Sequence, residues 1–412
     1  MSRSKILLIA TFLFIIYATT VPFDFSRGLD LSRTEWVPFW DGRHHRRAGF
    51  ADMVQNVVLF MPLGFFALTS WTKGLRAVLL ASLAGALLSG AVEVVQTMSP
   101  SRTSSITDLI MNSSGTAFGA LIGLVYMAQV AQPLQALADR LIARSPELAV
   151  FCCVFAIAAL VLWSPFIPSL DISALRHHVR ALIDAQLFDG GLGRLVPDAF
   201  LFAGLGGALA RTVSVFVPRR GLSVALSALG VVILSFGAEL GQLFLVYRHA
   251  SLGDFLADAV GGLAGVLCAM VVAPSAGILG VIFAIGLPSL RALAPFELVP
   301  LESLLSDIRL ERLLPFSELF ENLRLSTFSH VIETASCYAP LGFVIAARGR
   351  STRVAFLGAV ILAEVLEVLQ LPIAGRTFDL GEAGLGAFGA VVGAWAFRRI
   401  FGEQTPSARV RG

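Results

Sequence analysis

The chain has 412 residues, 56% of them hydrophobic and 14% charged, with a formal net charge of +3. Soluble domains carry about 25% charged residues, so the composition excludes an ordinary soluble globule and points to a polytopic all-α membrane protein. The charge is too small, and basic residues too little interleaved with aromatics, for nucleic acid to be a partner.

In chain order, the first apolar segment is 5–21, behind the basic start "MSRSK". It resembles a signal peptide but lacks a small-x-small cleavage site, and is taken as the first membrane helix. Further apolar segments follow at 53–70, 77–97 and 106–127, then 148–164, 197–211, 221–244 and 254–273, then 277–292, 329–346, 354–372 and 381–398. All but the two shortest reach the roughly 17–25 residues that cross a bilayer, and with four such segments in each of three stretches about twelve transmembrane helices are expected. Segments 171–184 and 301–325 place leucine and isoleucine at three- and four-residue intervals between charges, the pattern of amphipathic helices lying in the membrane interface.

One polar pattern occurs three times. Glu93, Gln96, Arg102 and Asp108 are matched at identical spacing by Glu239, Gln242, Arg248 and Asp254, and by Glu367, Gln370, Arg376 and Glu382. Paired glycines follow each acid: Gly115 and Gly119, Gly261 and Gly265, Gly389 and Gly393. Upstream, "VPFDF", "SPFIP" and "APFEL" each close an apolar helix, and "NVVLFMPLG", "DAFLFAGLG" and "TASCYAPLG" open the next. Such agreement predicts three modules of four helices, at 1–140, 141–275 and 276–412. An even helix count makes the repeats parallel and puts all three polar patterns on one side of the membrane. Loops such as "VPRRG" and "ARGRSTR", with the basic tail, are rich in Lys and Arg. The positive-inside rule then puts both termini in the cytoplasm and the polar patterns outside.

Each acid has a capping residue three positions earlier (Ser105, Ser251, Asp379), which is capping-box spacing. The glycine pairs are GxxxG faces for close helix approach. Glu93 and Gln96 share a helix face one turn from the segment's end, where an ionisable group needs a partner. Arg102 is the expected one, through a bidentate fork. That trio is either a pin closing the hairpin or a pocket for an anionic or hydrogen-bonding headgroup, with Asn56 and Asn112 adding polarity in the first module. Glu93 could act as a general acid or base, but no nucleophile or metal-ligand set accompanies it, and no cofactor or catalytic residue is assigned. The four cysteines lie in apolar segments as packing residues, and His44, His45, His177 and His178 are loop histidines.

"VPFDF", "NVVLFMPLGF" with Asn56, Pro62 and Gly64, "EVVQ" with Glu93 and Gln96, and "RTSSITDLIMNSSGTAFG" with Arg102, Asp108, Asn112 and Gly115 resemble the VanZ-like family of bacterial membrane proteins. The first module carries the resemblance over most of its length, and the other two look like diverged copies. The family takes its name from a protein linked to resistance against the glycopeptide teicoplanin. The resemblance therefore implies a multi-pass protein of the bacterial cytoplasmic membrane with a cell-envelope role, and it supplies no catalytic residue. The partners expected are the lipid bilayer and a lipid-linked envelope intermediate or glycopeptide. Three rival roles stay open: a transporter or flippase of a lipid or small amphiphile, an intramembrane enzyme on lipid-linked substrates, and a scaffold. The first module, with the fullest polar set, is where an activity is expected.

Overall fold

The computed structural model describes residues 3–20, 24–25, 28–41, 46–70, 74–166, 191–245, 248, 250–272, 276–299, 325–373, 376 and 379–402. The expected interfacial segment 171–184, all but the last residue of 301–325, the histidines His44, His45, His177 and His178, and the basic tail from 403 lie outside the described residues.

What is described is almost entirely helical. A first group comprises α1 (Arg3–Thr20), α2 (Phe50–Ser70), α3 (Leu75–Gln96) and α4 (Ile106–Val125). After α5 (Ala131–Arg144), a second group comprises α6 (Pro146–Trp163), α7 (Leu192–Phe216), α8 (Arg220–Gln242) and α9 (Leu252–Leu267). The third comprises α10 (Ala276–Leu293), α11 (Leu325–Ala347), α12 (Thr352–Gln370) and α13 (Gly381–Phe401). The strands among the described residues are one two-residue antiparallel pair, Trp40–Asp41 with Arg46–Arg47. Two compact units divide the chain near Arg140, with α1–α4 in one and α6–α13 in the other.

Eight of the described helical stretches are long and apolar enough to cross a bilayer. The other four expected crossings fall short for identifiable reasons. Helices α1 and α10 are shorter apolar helices. Helix α12 carries Arg353, Glu364 and Glu367, and α13 is diluted by glycine with Glu382, Arg398 and Arg399. Helix α5 was not among the expected elements, because its apolar residues alternate with glutamine and arginine and make no continuous run. It continues α4 through a π-helical turn at Tyr126–Val130.

The outward faces carry large apolar side chains. Leu83 and Leu87 on α3, Ile233 and Phe236 on α8, and Ile361 and Val368 on α12 are all exposed. Water would not tolerate so much apolar surface, and lipid provides its natural solvent. Inside, small residues bring backbones together. On α12 the buried face is Ala355, Ala359 and Ala363 at four-residue intervals.

In every group the fourth helix packs most closely on the second, and the GxxxG glycines are the reason. A Cβ on Gly115 or Gly119 would overlap the backbone carbonyls of Val57 or Met61 on α2. Gly261 and Gly265 meet Ala199 and Ala203 on α7 in the same way, and Gly389 and Gly393 meet Ala335 and Ala339 on α11. Such backbone-to-backbone contact is available to glycine alone.

Candidate functional site

The polar residues gather where the third helix of each group ends and the fourth begins. Ser105 caps α4 with its hydroxyl, which accepts the Thr107 N–H. Ser251 does the same for Gly253 and Asp254, and the Asp379 carboxylate accepts the Gly381 N–H. The cap residue's own N–H is the donor that a capping box returns to the N3 acid. Here it goes elsewhere. Ser105 N–H donates to the Glu93 carboxylate at 2.7 Å, Ser251 N–H to Glu239 at 2.7 Å, and Asp379 N–H to Glu367 at 2.7 Å. Each bond spans twelve residues and crosses from the third helix to the start of the fourth. The glutamates are buried at the helix N-terminus, where the dipole favours a negative charge.

The arginines do not take the role expected of them. Arg248 Nε donates to the Ser164 carbonyl at 2.7 Å and its Nη2 to Val161 at 3.0 Å. Arg376 reaches the carbonyls of Ala294 at 2.9 Å and Arg291 at 2.6 Å, and Arg102 that of Ala18 at 3.4 Å. Each guanidinium thus covers the C-terminal carbonyls of its group's first helix, which lack intrahelical donors and attract cations. Gln96 joins in, its amide donating to the Thr19 carbonyl at 3.0 Å. Gln370 hydrogen-bonds Glu367, and Gln242 is buried on α8. Side chain weighed against side chain, Glu93 is the natural partner for Arg102, but the two are not paired with each other. The structure instead joins each motif to backbone at two helix ends.

Released from the cap, the N3 acids turn towards the second helix of their group. Asn56 Nδ2 donates to Asp108 at 2.6 Å, Arg194 lies 3.9 Å from Asp254, and His330 Nε2 is 3.0 Å from Glu382. Arg194 and His330 occupy one position of the repeat spacing, which Asp52 fills in the first group. Asn112 donates to the Ser89 hydroxyl at 3.0 Å.

Arg291 and Glu333, two charges outside the repeated motif, join a further set with Asp198 and Arg248. Arg291 on α10 pairs with Asp198 on α7 at 2.5 Å and approaches Glu333 on α11 at 3.7 Å, while Glu333 also pairs with Arg248. These side chains tie the second group to the third. Their signal was present: Arg291 and Glu333 are ionisable residues at or near the ends of apolar segments, which rarely carry them without function. Beside this network, in the third group, is a cavity of about 120 Å³. Its polar lining includes Arg291, His330, Glu333, Thr334, Arg376 and Glu382. At about 30 Å³ per liquid water, it has room for roughly four waters or one small charged group. Among the described residues no cluster of histidine, cysteine and carboxylate side chains is placed to hold a metal ion.

These features define a polytopic helical membrane protein in which the repeated polar motif lies at one end of the helical hairpins, where the third helix of each group meets the fourth. Over residues 5–127 the chain is VanZ-like: it matches the family model described as VanZ/LLP1, across α1–α4. No curated protein and no solved structure matches the chain.

Proposed function

We propose that the chain consists of three VanZ-like modules, 1–140, 141–275 and 276–412, with twelve crossings and the motif ends on the outer face of the bacterial cytoplasmic membrane. The threefold recurrence of the glutamate-to-cap bond, always over twelve residues, supports the repetition. Its role is to hold the headgroup of an amphiphilic envelope component, a lipid-linked wall intermediate or a glycopeptide, and so to alter access to it. The observation that carries this reading is the charged cavity of the third group. Guanidinium groups and carboxylates converge there around unfilled space, and such convergence of polar groups in a recess is what orients a bound ligand. The motif residues serve as helix caps in all three groups, but the charged cavity lies beside those of the third, so the third module is the better place for binding than the first. On this division the trio is a pin, and the pocket lies beside it.

Filling the cavity tests the reading without removing a charge. Thr334→Leu, on the cavity wall, is expected to leave protein abundance unchanged and to deplete one class of lipid from the purified protein, measured by mass spectrometry against wild type. The same variant should copy the glycopeptide or envelope-stress phenotype of a gene deletion. Identical retained lipids, together with a deletion strain indistinguishable from its parent, would refute the proposal.

A further inference from the structure

We propose that Asp258, inside the second helical group, is a proton-binding site whose occupancy is coupled to the ion-pair network walling the cavity. Asp258 lies on α9 one turn beyond Asp254 and is 1% exposed, yet among the described residues neither carboxylate oxygen has a hydrogen-bond partner. The Ser235 hydroxyl, 0% exposed on α8, is also without one, as is the Glu239 Oε1 atom. An ionised carboxylate buried without donors costs several kcal/mol or more, and such a group neutralises itself by taking up a proton.

The first group shows what the neutral form looks like. Asn112 and Ser89 stand at the same offsets from Glu93 as Asp258 and Ser235 from Glu239. There the Asn112 amide donates to the Ser89 hydroxyl at 3.0 Å. A protonated aspartate is the near-isostere of asparagine, so neutral Asp258 puts an uncharged polar side chain where the first group has Asn112. The second group therefore holds a removable proton where the first holds a fixed N–H. Uptake forms one O–H bond, with the proton supplied by solvent, and release leaves a bare anion.

That anion would be felt by its neighbours. The charged groups facing Asp258 are Asp198 on α7, Glu239 on α8, Asp254 on its own helix and Arg291 on α10. Arg291 is the single cation among them. It already serves Asp198 and Glu333, and its Nε is buried without a partner among the described residues. Loss of the proton adds a third claim on a guanidinium that lines the cavity, so proton occupancy and cavity charge are linked. The proton site itself stands whether or not the cavity takes a headgroup.

Infrared spectroscopy of the reconstituted full chain, labelled with 13C-aspartate, tests both halves. At neutral pH the wild type should show the carbonyl stretch of a protonated aspartic acid, and Asp258→Asn should lose it while keeping its thermal stability. A wild type without that band, or a band that survives in Asp258→Asn, overturns the site. In Asp198→Asn the band should disappear at a lower pH than in wild type, because a negative neighbour is gone and Arg291 is freed. Glu239→Gln removes another negative neighbour while retaining an oxygen for the Ser251 N–H, and should shift the band in the same direction. A titration midpoint unmoved in both variants overturns the coupling.

Discussion

Gly119→Val is expected to eliminate the folded first unit, whereas Gly237→Ala is expected to leave the protein intact or slightly stabilised. The Cβ added at Gly119 would fall on the backbone carbonyl of Met61, and no rotamer change can move a backbone atom aside. Helices α2 and α4 would have to separate along their most intimate contact. Overpacking of a yielding core costs about 1–3 kcal/mol, so an unyielding one should exceed about 3 kcal/mol. At Gly237, inside α8, an added Cβ meets nothing within 4 Å. Replacing glycine by alanine there should recover about 0.5–1 kcal/mol of helix propensity. Monodisperse yield in detergent and the midpoint of thermal unfolding would separate the two. Equal behaviour would show that the glycine seam is not what joins these helices. Gly265→Val and Gly393→Val should repeat the result in the second and third groups.

Replacing Glu93 should divide by shape as well as by charge. Glu93→Ala removes the acceptor for the Ser105 N–H, leaving a buried donor at the start of α4. A hydrogen bond to a charged group is worth about 1.5–3 kcal/mol, and an orphaned buried donor costs about 1–3 kcal/mol. A loss of about 3 kcal/mol follows, which would lower the unfolding midpoint by roughly 5–10 °C. Glu93→Gln retains an amide oxygen at the same reach and should lose less than about 1.5 kcal/mol, the net worth of a neutral bond. If alanine and glutamine prove equally mild, the glutamate does not hold the hairpin. If both are folded but lose an envelope phenotype, its charge serves a ligand.

The helices could be placed from the sequence because apolar length is a one-dimensional signal. The motif spacing was equally legible, since fixed offsets survive without knowledge of the fold. What the spacing could not give was the partners. Arg102, Arg248 and Arg376 bind carbonyls of a helix more than eighty residues earlier. Backbone carbonyls have no identity in a sequence, so a reading of side chains found the nearest acid instead. The N3 acids misled for a related reason: Ser105 and Asp108 do have capping-box spacing, but a glutamate from the preceding helix occupies the donor first. Arg291 and Glu333 went unremarked because they fall outside the repeated motif, although a lone charge near the end of an apolar segment was sufficient reason to ask what faced it.

The twelve-residue bond also bears on how the chain enters the membrane. Glu93 leaves the ribosome before Ser105, so for that interval α3 carries a carboxylate with no donor to receive it. Its partner comes from the turn and the start of α4, which makes the helical hairpin, rather than the single helix, the natural unit of insertion. A glycosylation reporter fused after Gln96 should record poorer insertion than one fused after Val125, and Glu93→Gln should narrow that gap. Matching efficiencies at the two fusion points would show that α3 inserts alone. Biogenesis, on this view, proceeds by pairs of helices, each pair committed to the bilayer when its glutamate finds a backbone amide.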